Sequence, residues 1–104
     1  MKSDDVDACP KTEAAFALLA KKWAALIVLR LNRGELRFVE LRSSIPELSA
    51  RMLALRMRDL EAAGLVERSV SSQGAIRVAY RLTEKGRSLA GIMERIADWA
   101  KRYS

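Results

Sequence analysis

The stretch SIPELSARMLALRMRDLEAAG, residues 44 to 64, does most to restrict what this chain can fold into. Pro46 ends any helix that precedes it, because the residue before a proline avoids helical dihedrals. Ser49 is a natural N-cap for the segment that follows, and Gly64 is a natural stop. The pattern is therefore a short helix, a tight corner and a longer helix. With Leu53 set at 0° on a helical wheel, Met57 falls at about 40° and Leu60 at about −20°, which makes a buried stripe. Arg51 falls at about 160°, Ala54 at about 100°, Leu55 at about 200° and Arg58 at about 140°, so these four turn away from the core. Arg56, at about −60°, lies beside the stripe, where a structural pair with a carboxylate is expected.

The flanking segments extend this frame. From Thr12 to about Leu31 apolar residues recur at three- and four-residue steps, with Phe16, Leu19, Trp23, Leu26 and Ile27 among them. A break into two helices is expected near Lys21-Lys22, although no Gly or Pro marks it. Asn32-Arg33-Gly34 is a stop signal, with Gly34 suited to a left-handed C-cap. Leu36-Arg37-Phe38 reads as a very short extended stretch leading into a short helix, Phe38 to Ser44, with Phe38, Leu41 and Ile45 facing inward. After Gly64, residues 65–70 and 76–82 alternate loosely around the turn residues Ser71-Ser72-Gln73-Gly74, which predicts a β-hairpin. Thr83 caps a last helix running to about Tyr103, and Gly86 weakens its first turn. Leu89, Ile92, Ile96, Trp99 and Tyr103 follow it at a 3-4-3-4 spacing, a seam about two heptads long.

Composition removes whole classes of function. The chain has 104 residues, half of them hydrophobic, which suits one domain. Histidine is absent, so the usual general base, most catalytic triads and the commonest metal ligand are missing. Cys9 is the single cysteine, too few for a disulfide or a zinc site of the usual kind. No phosphate-binding glycine motif occurs. The reading is of a protein that is not an enzyme and needs no metal and no cofactor. The acidic start (Asp4, Asp5, Asp7) is wrong for a secretory signal, and the apolar run Trp23 to Leu29 is too short to span a bilayer. A soluble, cytoplasmic protein without a membrane partner is expected. The net charge of +6 is uneven: residues 1–20 carry two bases and four acids, whereas residues 21–60 carry nine bases and four acids. A basic middle segment suits a polyanion.

Two helices, a short helix, a corner, a longer helix, a hairpin and a final helix form the layout of a winged helix-turn-helix. The fold class is mainly α with a small β-hairpin wing. Residues 1–8 read as a flexible acidic N-terminus. Residues 9–104 read as one winged domain. In this layout the helix after Ser49 enters the major groove with its N-terminal residues nearest the bases. Ser49, Ala50, Arg51, Ala54, Leu55 and Arg58 are the candidate DNA-contacting residues, with Arg77 and Gln73 on the wing and Arg68 as a weaker candidate. Arginines suit guanine edges or phosphates, and Leu55 and Ala54 suit thymine methyls. The competing reading is a winged-helix module that binds another protein. An outward face bearing arginines instead of an apolar patch argues against it.

A resemblance now becomes visible. Cys9-Pro10, Lys22-Trp23, Gly34, Arg37-Phe38, Glu40-Leu41, Leu48-Ser49, Met52-Leu53, Met57-Arg58 and Leu60-Glu61 look like motifs of the HxlR-type family of bacterial winged-helix regulators. They continue through Gly64-Leu65-Val66, Arg68, Arg77-Val78, Tyr80, Leu82-Thr83 and Gly86-Arg87-Ser88-Leu89. MarR-type regulators share the LE-x-x-GL-x-x-R portion. The resemblance implies a homodimeric, sequence-specific regulator of transcription that binds a palindromic operator in double-stranded DNA. It adds that the winged domain is dimeric, with its N- and C-terminal helices as dimerisation helices, which assigns Phe16, Leu19, Leu89, Ile92, Ile96, Trp99 and Tyr103 to the interface. Trp99 and Tyr103 are also more apolar surface than one small domain hides easily. No small-molecule effector is specified.

The chain departs from the family pattern in places. Ala20-Lys21 stands where a glycine pair usually precedes KW, which predicts a smoother junction between the first two helices. Gly74-Ala75-Ile76 replaces prolines and should loosen the wing tip, and Ala79 stands where an acid is common. Pro10 fits the first helical position and leaves Cys9 at or near the N-cap, where the helix dipole and Lys11 favour the thiolate while Asp5 and Asp7 oppose it. In some members of the family a cysteine at this place senses oxidants or electrophiles. Both readings of Cys9 stand at this point: a redox sensor, or a bystander thiol.

Overall fold

A computed structural model describes residues 9–71 and 77–104. The elements are α1 (Pro10–Ala20), α2 (Ala24–Leu31), β1 (Leu36–Arg37), α3 (Phe38–Ser43), α4 (Ala50–Ala62), β2 (Val66–Ser71), β3 (Arg77–Leu82) and α5 (Glu84–Tyr103). Residues 1–8, the Gln73 turn and the altered wing tip at 74–76 lie outside the described residues.

The core gathers one side of every element from α2 onward. Leu53, Met57 and Leu60 of α4 are fully buried, as the wheel required, among Ile27, Val28, Leu41, Ile45 and Leu48. Burying each such side chain stabilises the fold by roughly 1.5–3 kcal/mol relative to leaving it in water. Phe38 packs at the edge of this cluster, with Leu41 and Ile45 inside it. Leu48 and Leu53 flank the Ser49 cap at the positions of a hydrophobic staple, and both are buried.

The sheet is larger than the hairpin predicted. It has three strands in the order β1-β3-β2, all antiparallel. Leu36 pairs with Tyr80 and Arg37 with Ala79, so the short extended stretch before α3 is the third strand. The ladder of β2 and β3 runs from Val66 opposite Leu82 to Ser71 opposite Arg77. Ala79 offers no charge beside Arg37, and that guanidinium pairs along its own chain with Glu40, at 3.4 Å.

Three local expectations are corrected. The α1–α2 junction is a sharp corner: Lys21 is extended, and Trp23 holds φ at +77° in the left-handed region. A side chain there strains the backbone by about 1–2 kcal/mol. The break therefore forms here without a glycine. Gly34 has a positive φ of 152°, far from the left-handed helical value expected of a C-cap. Gly86 anchors α5 instead of weakening it. It is buried, and a Cβ built on it would stand 2.1 Å from the Leu65 carbonyl oxygen. Only glycine lets α5 start this close to the α4–β2 corner.

That corner is tightly bonded. Gly64, at φ +76°, donates its N–H to the Glu61 carbonyl, and Leu65 donates to that of Leu60 at 3.0 Å. This is a Schellman ending for α4. The Thr83 hydroxyl accepts from Gly86 N–H at 3.0 Å and donates to the Gly64 carbonyl at 2.6 Å. One residue thereby caps α5 and ties its start to the end of α4.

Candidate nucleic-acid interface

The sequence places Ser49 where α4 needs a cap, and its hydroxyl oxygen accepts the Met52 N–H at 3.1 Å. Ser49, Ala50, Arg51, Leu55 and Arg58 are all exposed on the side opposite the buried stripe, and Ala54 is half-buried at its margin. The remaining free amides of the first turn suit a phosphate oxygen, whose charge the helix dipole also favours. Among the described residues Arg51 and Arg58 take part in no ion pair, so their guanidinium groups are available to a polyanion.

Three other arginines nearby are engaged. Arg56, expected beside the core stripe with a carboxylate, donates to Asp59 Oδ2 at 3.2 Å and to the Lys22 carbonyl at 2.7 Å. Arg68 donates to Glu61 Oε1 at 2.9 Å, which holds its protonated form more firmly and ties the wing to the last turns of α4. Arg81 bonds to Glu67, its cross-strand neighbour. The structure thus separates free arginines from paired ones, which composition does not do.

Arg77 is exposed at the first position of β3. It lines a cleft of about 370 Å³ with Arg37, Phe38, Val39 and Val78, between the start of α3 and the wing. Arg37 and Val39 were missed in the sequence because the β1–β3 pairing that brings them to the wing involves only two residues per strand. The Glu40 carboxyl there is held below its usual range, chiefly by the Arg37 N–H bonding to it at 2.8 Å, with Arg37 and Arg77 charges adding to the effect.

The second outward surface is apolar. Phe16, Ile92, Ile96, Trp99 and Tyr103 are exposed, Trp99 and Tyr103 by 64% and 68%. The two rings lie 5.6 Å apart between centroids and are tilted by 39°. Leu19 and Leu89, grouped with them as expected interface residues, are half-buried against the domain's own core. α5 carries two parallel seams: Gly86, Ala90 and Met93 face inward, while Ile92, Ile96, Trp99 and Tyr103 face out.

Cys9 is the N-cap residue of α1, with Pro10 at N1. Its half-buried thiol faces the amides of Thr12 and Lys11 without meeting the geometry of a capping bond. Those amides, Thr12 first, pull its pKa below that of an ordinary thiol. Among the described residues no group of His, Cys, Asp and Glu has the makings of a metal site, and no helix is long and apolar enough to cross a membrane.

Comparison with known proteins gives this surface its context. Residues 18–104 match the HxlR-like helix-turn-helix family. The chain belongs to that family. The HTH-type transcriptional regulators YvaP and YodB of Bacillus subtilis are each 42% identical to it over 95 residues, covering 91% of this chain and 88% and 85% of theirs. The reduced form of YodB superposes with a TM-score of 0.83 over 91% of this chain and 93% of that one. YodB has also been solved diamide-treated and quinone-bound, each with a TM-score of 0.78. The redox regulator HypR in its reduced form, 35% identical, gives 0.80 over 88% of this chain and 91% of its own. This HxlR-type protein is therefore a helix-turn-helix transcriptional regulator, mainly helical with a small antiparallel sheet. Cys9 precedes the residues matched to the family, so a role for it has to be argued from its own surroundings.

Proposed function

We propose that this HxlR-type regulator acts in the cytoplasm as a homodimer on a palindromic operator, and that thiol chemistry at Cys9 alters its hold on DNA. The observation that carries the first part is the outward face of α4, where unpaired Arg51 and Arg58 flank Leu55 above a serine-capped N-terminus. Arg51 and Leu55 read bases from the major groove; Ser49 and the first-turn amides hold a phosphate; Arg77 and Gln73 meet the backbone from the wing. Phe16, Ile92, Ile96, Trp99 and Tyr103 pair with the same face of a second copy, with the half-buried Leu19 and Leu89 at its margin. The C-terminal end of α5 protrudes with too much apolar surface to face water alone.

The lowered pKa of Cys9 supports the second part, since the thiolate is the species that oxidants and electrophiles attack. YodB, a relative of this chain, has been solved diamide-treated and quinone-bound, which supports the choice of these reagents. The test is a mobility shift on DNA upstream of the regulator's own gene, over a salt series, before and after diamide. Binding should weaken steeply with salt and prefer one palindrome, and diamide should change it in the wild type but not in Cys9→Ser. Salt-insensitive binding without sequence preference would overturn the DNA reading. An undiminished diamide effect in Cys9→Ser would overturn the sensor alone.

A further inference from the structure

α1 differs from every other helix in its attachment. None of its residues is buried. A groove of about 530 Å³ separates it from the rest of the domain, with Ala14, Ala15 and Leu18 on one wall and Leu65, Leu89 and Ile92 on the other. Among the described residues, its only polar ties to the domain lie at its C-terminal corner. There the Arg56 guanidinium bridges two elements, its Nε donating to the Lys22 carbonyl at 2.7 Å and its Nη1 to Asp59 Oδ2 at 3.2 Å. Lys21 Nζ reaches the same carboxylate oxygen at 3.3 Å, and the Lys22 ammonium lies 5.3 Å from the centre of the Trp23 ring. Among the described residues, the corner is the one place where a residue other than glycine holds a positive φ. Arg56 and Asp59 both belong to α4, so the strained corner is fastened directly to the helix that carries Arg51 and Arg58.

We infer that Arg56 is a positioning residue for operator recognition: with Asp59 it latches the α1–α2 corner to α4, and so sets the angle between the N-terminal dimer arm and the DNA-reading helix. α5 needs no such device, because Gly86, Ala90 and Met93 bury it in the core beside α4. α1 has only the half-buried Leu18 and Leu19 against the core, both in its last turn, and its polar ties to α4 lie at the corner that follows. The backbone strain at Trp23 is held because the carbonyl before it is bonded to Arg56. When two copies join through α1 and α5, this angle helps fix the separation of the two α4 helices. The inference rests on the proposed dimer.

The discriminating experiment varies the spacer between the two half-sites of an operator selected by the wild-type protein from random duplexes. One base pair more or less shifts the half-sites by about 3.4 Å and turns them by about a tenth of a helical turn. The wild type should show one best spacer and lose on the order of tenfold in affinity one step to either side. Arg56→Met, which keeps the apolar stem and removes the donors, should flatten this profile to less than about threefold per step while retaining the same base preference within each half-site. A profile that superposes on the wild type overturns the latch. A loss of affinity that is equal at every spacing also overturns it, because a phosphate contact or a general loss of stability acts in that way. If Arg56→Met does not fold, Asp59→Asn removes the latch's carboxylate charge with little change of shape and is judged by the same profile. A flat wild-type profile overturns the latch and the palindromic dimer together.

Discussion

α4 and α5 are built on the same plan and turned to different ends. Each buries a narrow stripe of three residues, Leu53, Met57 and Leu60 in one and Gly86, Ala90 and Met93 in the other. They differ on the face that the core does not use. α4 presents Arg51, Leu55 and Arg58, with its only large exposed apolar residue hemmed by guanidinium groups. α5 presents Ile92, Ile96, Trp99 and Tyr103 in an unbroken row. The inward stripe makes a helix part of the domain, and the chemistry of the outward stripe decides what else it meets.

The comparison can be broken first on the inward side. Leu53→Ala should destabilise the fold by about 2–5 kcal/mol, because the site is enclosed and cannot collapse around the cavity. Chemical denaturation measures it. An equal effect from Leu55→Ala, two positions away and exposed, would show that the two faces of α4 are not distinct. On the outward side of α5, Trp99→Ala should weaken self-association by about 2–4 kcal/mol with little change in the fold of the protomer. Sedimentation over a concentration series reads it, and an unchanged association constant removes α5 from the interface. On the outward side of α4, Arg51→Ala should cost about 1–3 kcal/mol of operator binding and relax the preference at one base pair, without affecting association.

The smallest effect concerns neither helix. With the Cys9 pKa lowered by the Thr12 and Lys11 amides, the thiolate persists to lower pH than in an ordinary cysteine, so the pH profile of its alkylation should be displaced downward. A profile matching that of a free thiol would mean that the N-cap position does nothing for its reactivity.

The parts of this architecture readable from the sequence are those governed by local periodicity and capping. The stripe of α4, its Ser49 cap and the Thr83 cap follow from residue type and spacing, and so does the outward seam of α5. What escaped has a tertiary cause. β1 pairs through two residues, too few to show an alternating pattern, and it hid the placing of Arg37 and Val39 beside Arg77. Gly86 looked like a weak helix former because its value lies in its closeness to the Leu65 carbonyl, twenty-one positions earlier. Leu89 fits the outward spacing but lies near enough to the inward stripe to pack on the core. The left-handed Trp23 carries no local signal, since neither it nor its neighbours is a glycine, and the Arg56 bond to the carbonyl before it comes from another helix.

The placement of the chain's two tryptophans has a practical outcome. Trp23 sits half-buried at the corner beneath a lysine ammonium, and Trp99 projects from the far apolar surface. Their fluorescence therefore divides by place. Emission from a Trp99→Phe variant reports the surroundings of the α1–α2 corner, and emission from a Trp23→Phe variant reports those of the exposed end of α5. The protein carries an optical reporter for each of these two surfaces, with no dye attached.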